Sequence, residues 1–176
     1  VAFVVLAAVP SVATDSDAAD PVPMTYYVDG TNGNDTYGGT LETVNKDKTD
    51  GPLKTLEAAK DRAIAYTAGI VTIKILSDLE YNGTEKEITF SWSSSNGSLV
   101  IDGQIGTGAT AKNAKLTGYT LYFGTHANDI TIKNVDFENE SIHDGRAIFA
   151  NFAGTNFTVD HCNFNYTGGL PAGEKT

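Results

Sequence analysis

Four consecutive residues, His143-Asp144-Gly145-Arg146, set an imidazole, a carboxylate and a guanidinium side by side. Those groups are a base, its orienting acid and a stabiliser of developing negative charge. Asp-Gly is also a turn dipeptide, and a turn between two strands leaves its side chains in water. The turn is the simpler explanation, and no catalytic residue is assigned. His126 and His161 lie beside turn residues too and read as turn or partly buried histidines rather than bases.

The stretch Gly30-Thr31-Asn32-Gly33-Asn34-Asp35-Thr36-Tyr37-Gly38 nearly matches the calcium-binding nonapeptide G-G-x-G-x-D-x-U-x, with Thr31 in place of the second Gly. Asp29 and Asp35 are the candidate calcium ligands, helped by backbone oxygens, and calcium is the one cofactor considered. Such rolls hold calcium between adjacent repeats, so this single copy supplies half a site. Cys162 is the only cysteine, which excludes an internal disulfide and a Cys-based zinc site. Its place between Val159 and Phe164 marks it as a small buried hydrophobe. Tyr81, Trp92, Tyr119, Tyr122 and Tyr166 offer a sugar-stacking surface, although core packing explains such residues equally well.

Six Asn-x-Ser/Thr sequons occur, at Asn34, Asn82, Asn96, Asn139, Asn156 and Asn165. That exceeds what 13 Asn and 31 Ser plus Thr produce by chance, and it fits an exported glycoprotein. The alternative is that Asn and Thr both favour the turns of a strand-rich chain. The charge balance narrows the partners. With 12 basic and 22 acidic residues the net charge is −10, which disfavours nucleic acid and anionic membrane surfaces. Polysaccharide or cell-surface glycans remain the partners considered.

The opening run Val1 to Val9 is apolar but too short to cross a bilayer, and Ser11-Val12-Ala13 follows as a small-x-small cleavage pattern. Residues 1–13 read as the back half of a secretory signal peptide, with the sequence opening partway into a reading frame. Residues 14–25 read as an exposed linker kept extended by Pro21 and Pro23. No membrane insertion of the mature domain is expected.

Residues 26–176 must then position whatever site exists. Ile130-Thr131-Ile132-Lys133-Asn134-Val135-Asp136-Phe137 and Phe157-Thr158-Val159-Asp160-His161-Cys162-Asn163-Phe164 repeat one pattern 27 residues apart. A looser copy, Leu99-Val100-Ile101-Asp102-Gly103, begins 31 residues before Ile130. Short matching strands at this spacing imply stacked repeats, with Ile132 and Val159 in line along one core. Strands are expected at Tyr26 to Val28, Ile70 to Leu76, Ile88 to Trp92, Leu99 to Asp102, Tyr119 to Phe123, Ile130 to Ile132, Ala147 to Phe152 and Phe157 to Val159. One helix, about 53–68, places Leu53, Leu56, Ala59, Ala63 and Ile64 on a face. Pro52 suits its first position after a cap at Asp50 or Gly51, and Gly69 its end. Such a helix would plug the open end of the stack.

Tyr26-Tyr27-Val28-Asp29-Gly30-Thr31-Asn32-Gly33-Asn34-Asp35, followed by Asp50-Gly51-Pro52-Leu53-Lys54-Thr55-Leu56-Glu57-Ala58-Ala59, resembles the opening of secreted right-handed parallel β-helix proteins of the pectate-lyase-like superfamily. In that group a strand and loop lead to a capping helix, and coils like the 27-residue repeat follow; the likeness covers about residues 26–167. It implies an all-β, right-handed parallel β-helix with an N-terminal capping helix, C-terminally incomplete. Lyases, hydrolases, adhesins and surface-layer proteins share these features, so the likeness bears on fold more than on activity. His161 stands where the other repeat has Asn134, which interrupts an asparagine ladder. The acids Asp102, Asp136 and Asp160 lack a convergent basic partner, and the paired-Asp and Gly-His-Gly signatures of polygalacturonases are absent. The expectation is a non-catalytic, adhesin-like secreted or cell-surface protein. The alternatives are a polysaccharide lyase or glycoside hydrolase with active coils beyond residue 176, and a surface-layer structural protein.

Overall fold

In the computed structural model, alternation of apolar and polar residues translates into three mainly parallel sheets. The structure describes residues 22–67, 69–81, 86–124, 129–139, 146–151 and 156–166. The proposed signal peptide, His126, Asn82 and the segment His143-Asp144-Gly145 lie outside the described residues. Along the chain come β1 (Met24–Val28), α1 (Leu56–Ala65), β2 (Val71–Ile75), β3 (Leu79–Glu80), β4 (Lys86–Phe90), β5 (Leu99–Asp102), β6 (Gln104–Ile105) and β7 (Lys112–Thr117). They continue with β8 (Tyr119–Phe123), β9 (Ile130–Lys133), β10 (Val135–Asn139), β11 (Ile148–Ala150), β12 (Phe157–Asp160) and β13 (Asn163–Tyr166).

The first sheet runs β1-β2-β5-β9-β12, the second β13-β10-β7-β3 with β6 beside β7, and the third β11-β8-β4. Every pairing is parallel except β6 with β7. From β2 onward the chain visits the three sheets in the same order, three times in full and once as far as β13. Ile130 pairs with Phe157 and Leu99 with Ile130, so the sequence repeat and its looser copy are register neighbours.

A two-residue side-chain period sends alternate positions inward. The row Tyr26-Ile73-Ile101-Ile132-Val159 crosses the first sheet, Leu79-Leu116-Phe137-Phe164 the second, and Phe90-Phe123-Ala150 the third. Ile73, Ile101, Ile132, Leu116, Phe90 and Phe123 are fully buried. Each such side chain contributes about 1.5–3 kcal/mol by leaving water, whereas an exposed ion pair contributes about 0–1 kcal/mol. The rows therefore hold the sheets together.

The strand expected at Tyr26 begins at Met24, so Met24 and Thr25 belong to the first sheet rather than to the linker. The helix is shorter at both ends than 53–68. Its N-cap is Thr55, whose side chain accepts from the Ala58 N–H, and not Asp50 or Gly51. Leu53 is instead drawn into a parallel bridge with Val28, and extended pairing there prevents helix. At the other end Tyr66 is extended, and Asn96 Nδ2 donates to the Ile64 carbonyl at 2.9 Å. A tertiary partner therefore takes an orphan carbonyl before Gly69 is reached. Leu56, Ala59 and Ala63 are buried against β1, β2 and β4, and Ile64 is half-buried.

Candidate functional site

The polar loop between β1 and α1 carries the calcium candidates, and its geometry follows from Asp and Asn side chains folding onto backbone N–H groups. Asp29 Oδ1 accepts from the N–H groups of Thr31 at 2.9 Å and Asn32 at 3.1 Å, and its Oδ2 from Asn32 Nδ2 at 3.1 Å. Burial pushes the Asp29 carboxyl up, but the bonds from Asn32, Thr31 and Ser77 outweigh it and hold the pKa below 3.8. Asp35 reaches across the loop: Oδ1 accepts from the N–H groups of Lys54 at 2.8 Å and Thr55 at 2.9 Å, and Oδ2 from Thr55 Oγ1 at 2.9 Å. Arg62 on α1 returns the contact, donating to the carbonyls of Asp35 at 3.0 Å and Tyr37 at 2.6 Å. Gly33 permits the crossing, because a Cβ there would sit 2.1 Å from the Leu53 carbonyl oxygen.

A calcium ion takes 6–8 oxygens, and both oxygens of each of these carboxylates already accept hydrogen bonds. Among the described residues no group of three or more His, Cys, Asp or Glu side chains is arranged to hold a metal ion. Asp29 folds the loop onto itself, and Asp35 ties it to the helix start. A second knot lies within the loop: Asp50 accepts from Thr40 Oγ1 and from the N–H groups of Thr40 and Gly51. Burial opposes these bonds and is outweighed, leaving the Asp50 pKa below 3.8.

On the outward face of the first sheet, register brings Lys74, Asp102, Lys133 and Asp160 into one row. In-register parallel strands place equivalent positions side by side, so alternating sign avoids like-charge neighbours. Asp102 lies 3.2 Å from Lys74 Nζ and 3.6 Å from Lys133 Nζ, and accepts from Asn134 Nδ2 at 2.9 Å and the Gln104 N–H at 3.0 Å. Burial raises its pKa, and the Asn134, Gln104 and Lys74 contacts bring the net value below 3.8. The second sheet has a matching device, in which Asn113 Nδ2 and Asn163 Nδ2 both donate to Asp136 Oδ1 at 2.7 Å. Asp160 Oδ1 lies 2.7 Å from His161 Nδ1. Asn134 and His161 both have positive φ, 57° and 49°, so the turn persists although the amide ladder does not. These are structural ladders; sequence spacing indicated the strands but not which charges would become neighbours.

The sequons fall in different places. Asn34 and Asn165 are exposed, and Asn34 Oδ1 accepts from the Thr36 N–H at 3.0 Å. Asn156 is exposed with its Nδ2 on Asp129 Oδ1 at 2.7 Å. Asn139 ends β10. Asn96 is only 6 % exposed, and its Nδ2 holds the end of α1, so a glycan on that nitrogen would require this contact to break. Cys162 is half-buried, with its Sγ donating to the Asp160 carbonyl at 3.3 Å; burial pushes its thiol up, against backbone contacts with Val135 and Asp160.

The aromatic candidates separate as well. Trp92 and Tyr119 are core residues, 1 % and 6 % exposed; Trp92 Nε1 donates to the Gly97 carbonyl, and burial pushes Tyr119 up to about 12. Tyr81 packs edge-on against Tyr119 at 6.2 Å. Tyr122 alone of the described candidates lies on an outward sheet face. Its ring stacks on Phe149 with centroids 5.0 Å apart and planes at 16°, and Arg146 lies 4.5 Å over the Phe149 ring. Phe149 was not among the sequence candidates; its register with Tyr122 in the third sheet reveals it. No protein-family model matches the chain, and neither a curated protein nor a solved structure matches it.

Proposed function

We propose that this chain forms a right-handed parallel β-helix that stands outside the cell as a non-catalytic, adhesin-like surface protein and binds glycans. The fold reading is supported by the in-register parallel strands and by the fixed order in which the chain visits the three sheets. The signal-peptide pattern and the exposed sequons at Asn34, Asn156 and Asn165 favour export.

One observation carries the non-catalytic reading. Asp102, Asp136, Glu138 and Asp160, on the outward faces of the first two sheets, are each engaged by neighbouring Lys, Asn or His side chains. A general acid or base needs a lone pair or proton free to meet substrate and a pKa close to the working pH. The hydrogen bonds on Asp102 move it away from neutrality instead. The test is to incubate the protein with neutral and acidic polysaccharides, following unsaturated-sugar absorbance, new reducing ends and co-sedimentation. Binding without turnover is expected; release of unsaturated or reducing products would overturn the reading.

A further inference from the structure

The outward face of the third sheet differs from the other two. Its register places Thr89, Tyr122 and Phe149 in one row, with Glu87 and Thr120 in the next. Strands in such a sheet stand about 4.8 Å apart, so neighbouring rings in a row can stack and a short residue leaves a gap. Phe149 fills one side of Tyr122 with a near-parallel ring. On the other side the register neighbour is Thr89, too short to cover a phenol ring and itself exposed. Glu87 is also exposed, and its Oε1 accepts from Thr89 Oγ1 at 3.0 Å.

We propose that the slot between Tyr122 and Thr89 is a subsite for one neutral pyranose ring. The proposal rests on the glycan-binding reading and gives it a site. A pyranose presents a patch of C–H bonds on one face and hydroxyls around its edge. The negative face of an aromatic ring attracts those C–H bonds, while a carboxylate and a hydroxyl oxygen at the rim accept from the edge hydroxyls. Tyr122 supplies the ring, Glu87 the carboxylate and Thr89 the hydroxyl. Preorganisation comes from behind: Phe149 backs Tyr122, Arg146 lies over Phe149, and Thr120 Oγ1 donates to the Arg146 carbonyl. A ring held in place before binding loses little side-chain freedom on binding. Charge selects the sugar. The Glu87 carboxylate at the rim and a net charge of −10 repel uronic and sialic acids, so the occupant is a neutral hexose.

The test titrates cellopentaose and maltopentaose, with trigalacturonate as the acidic probe, into the wild type and into Tyr122→Ala and Thr89→Trp by calorimetry. Thr89→Trp adds bulk at an exposed position and closes the slot without removing a core contact; unchanged thermal melting verifies its fold. The expected result is saturable heat with a neutral pentasaccharide, weakened about tenfold by Tyr122→Ala and lost in Thr89→Trp. Neutral binding that both variants retain would overturn this site and leave the glycan reading standing. Binding of trigalacturonate alone would overturn the selection for neutral sugars. No heat from any of the three sugars would overturn the site, and absence of polysaccharide co-sedimentation as well would remove the glycan reading with it.

Discussion

Phe137 and Phe164 are register partners with rings 5.2 Å apart and nearly parallel, yet Phe137 is 1 % exposed and Phe164 57 %. Ile132 and Val159 repeat the contrast in the first sheet, at 0 % and 43 %. Residue type does not separate these pairs; among the described residues, Phe137 and Ile132 have a strand on both sides and Phe164 and Val159 on one. At the opposite end, β1 is also the last described strand of its sheet, but its outer edge is occupied. Tyr27 N–H donates to the Gly39 carbonyl, Leu53 N–H to the Tyr27 carbonyl and Asp29 N–H to the Leu53 carbonyl, each at 2.8 Å. Helix α1 packs against β1, β2 and β4. A stack of parallel strands needs such a cover wherever its edge meets water, because bare edges pair with other chains.

Breaking the packing of α1 on β1, β2 and β4 should have the largest effect. Leu56→Asp puts a charge where exposure is 0 % and should cost roughly 3–5 kcal/mol, read from chemical denaturation. If Leu56→Asp melts with the wild type, that packing contributes little. Next comes the paired experiment on the two phenylalanines. Phe137→Ala should cost about 3–5 kcal/mol and Phe164→Ala under about 1 kcal/mol; equal costs would mean that Phe164 is covered in solution.

Smaller effects probe the loop. Asp35→Ala removes three bonds at the start of α1 and should cost about 1–2 kcal/mol, with Asp35→Asn recovering part of it. Acid gives a distributed test. The carboxyls of Asp29, Asp50, Asp78 and Asp102 all sit below 3.8 in the fold. The unfolded chain therefore binds more protons than the native one. The stability these groups contribute is present above the unfolded pKa and is lost as pH falls through the folded values. The urea midpoint should hold from pH 7 to about pH 5, then fall below about pH 4, with Asp102→Asn making that fall shallower. A midpoint that rises on acidification would contradict the hydrogen-bonded loop and ladder.

The repeat was legible because β9 and β12 combine clean alternation with the same turn, Asn134 in one copy and His161 in the other, both at positive φ. The strand β7 was not: Lys112-Asn113-Ala114-Lys115-Leu116-Thr117 offers only one small and one large apolar residue inward. It is held by neighbours on both sides, β3 and β10, and by the Asn113–Asp136 bond, none of which local sequence displays. The helix start was misplaced because Leu53 has two good options and pairing with Val28 prevails over the Pro52 signal. The calcium motif was legible as spacing, but the hydrogen bond that Asp35 accepts from Thr55, 20 residues away, was not. Tyr122 was visible as an aromatic and Phe149 was not, since only sheet register makes them a pair.

The central claim is that sequence repeats become adjacent parallel strands in one fixed register, with Thr131 opposite Thr158 and Val159 facing the other side. Disulfide trapping tests it directly, in a background where Cys162 is replaced by Ala. Neighbours in register lie about 4.8 Å apart, within reach of a disulfide, and a one-residue slip sends the side chain to the opposite face. The account predicts that Thr131→Cys with Thr158→Cys cross-links within one molecule under mild oxidation, and that Thr131→Cys with Val159→Cys does not. Cross-linking of the second pair in place of the first would contradict it.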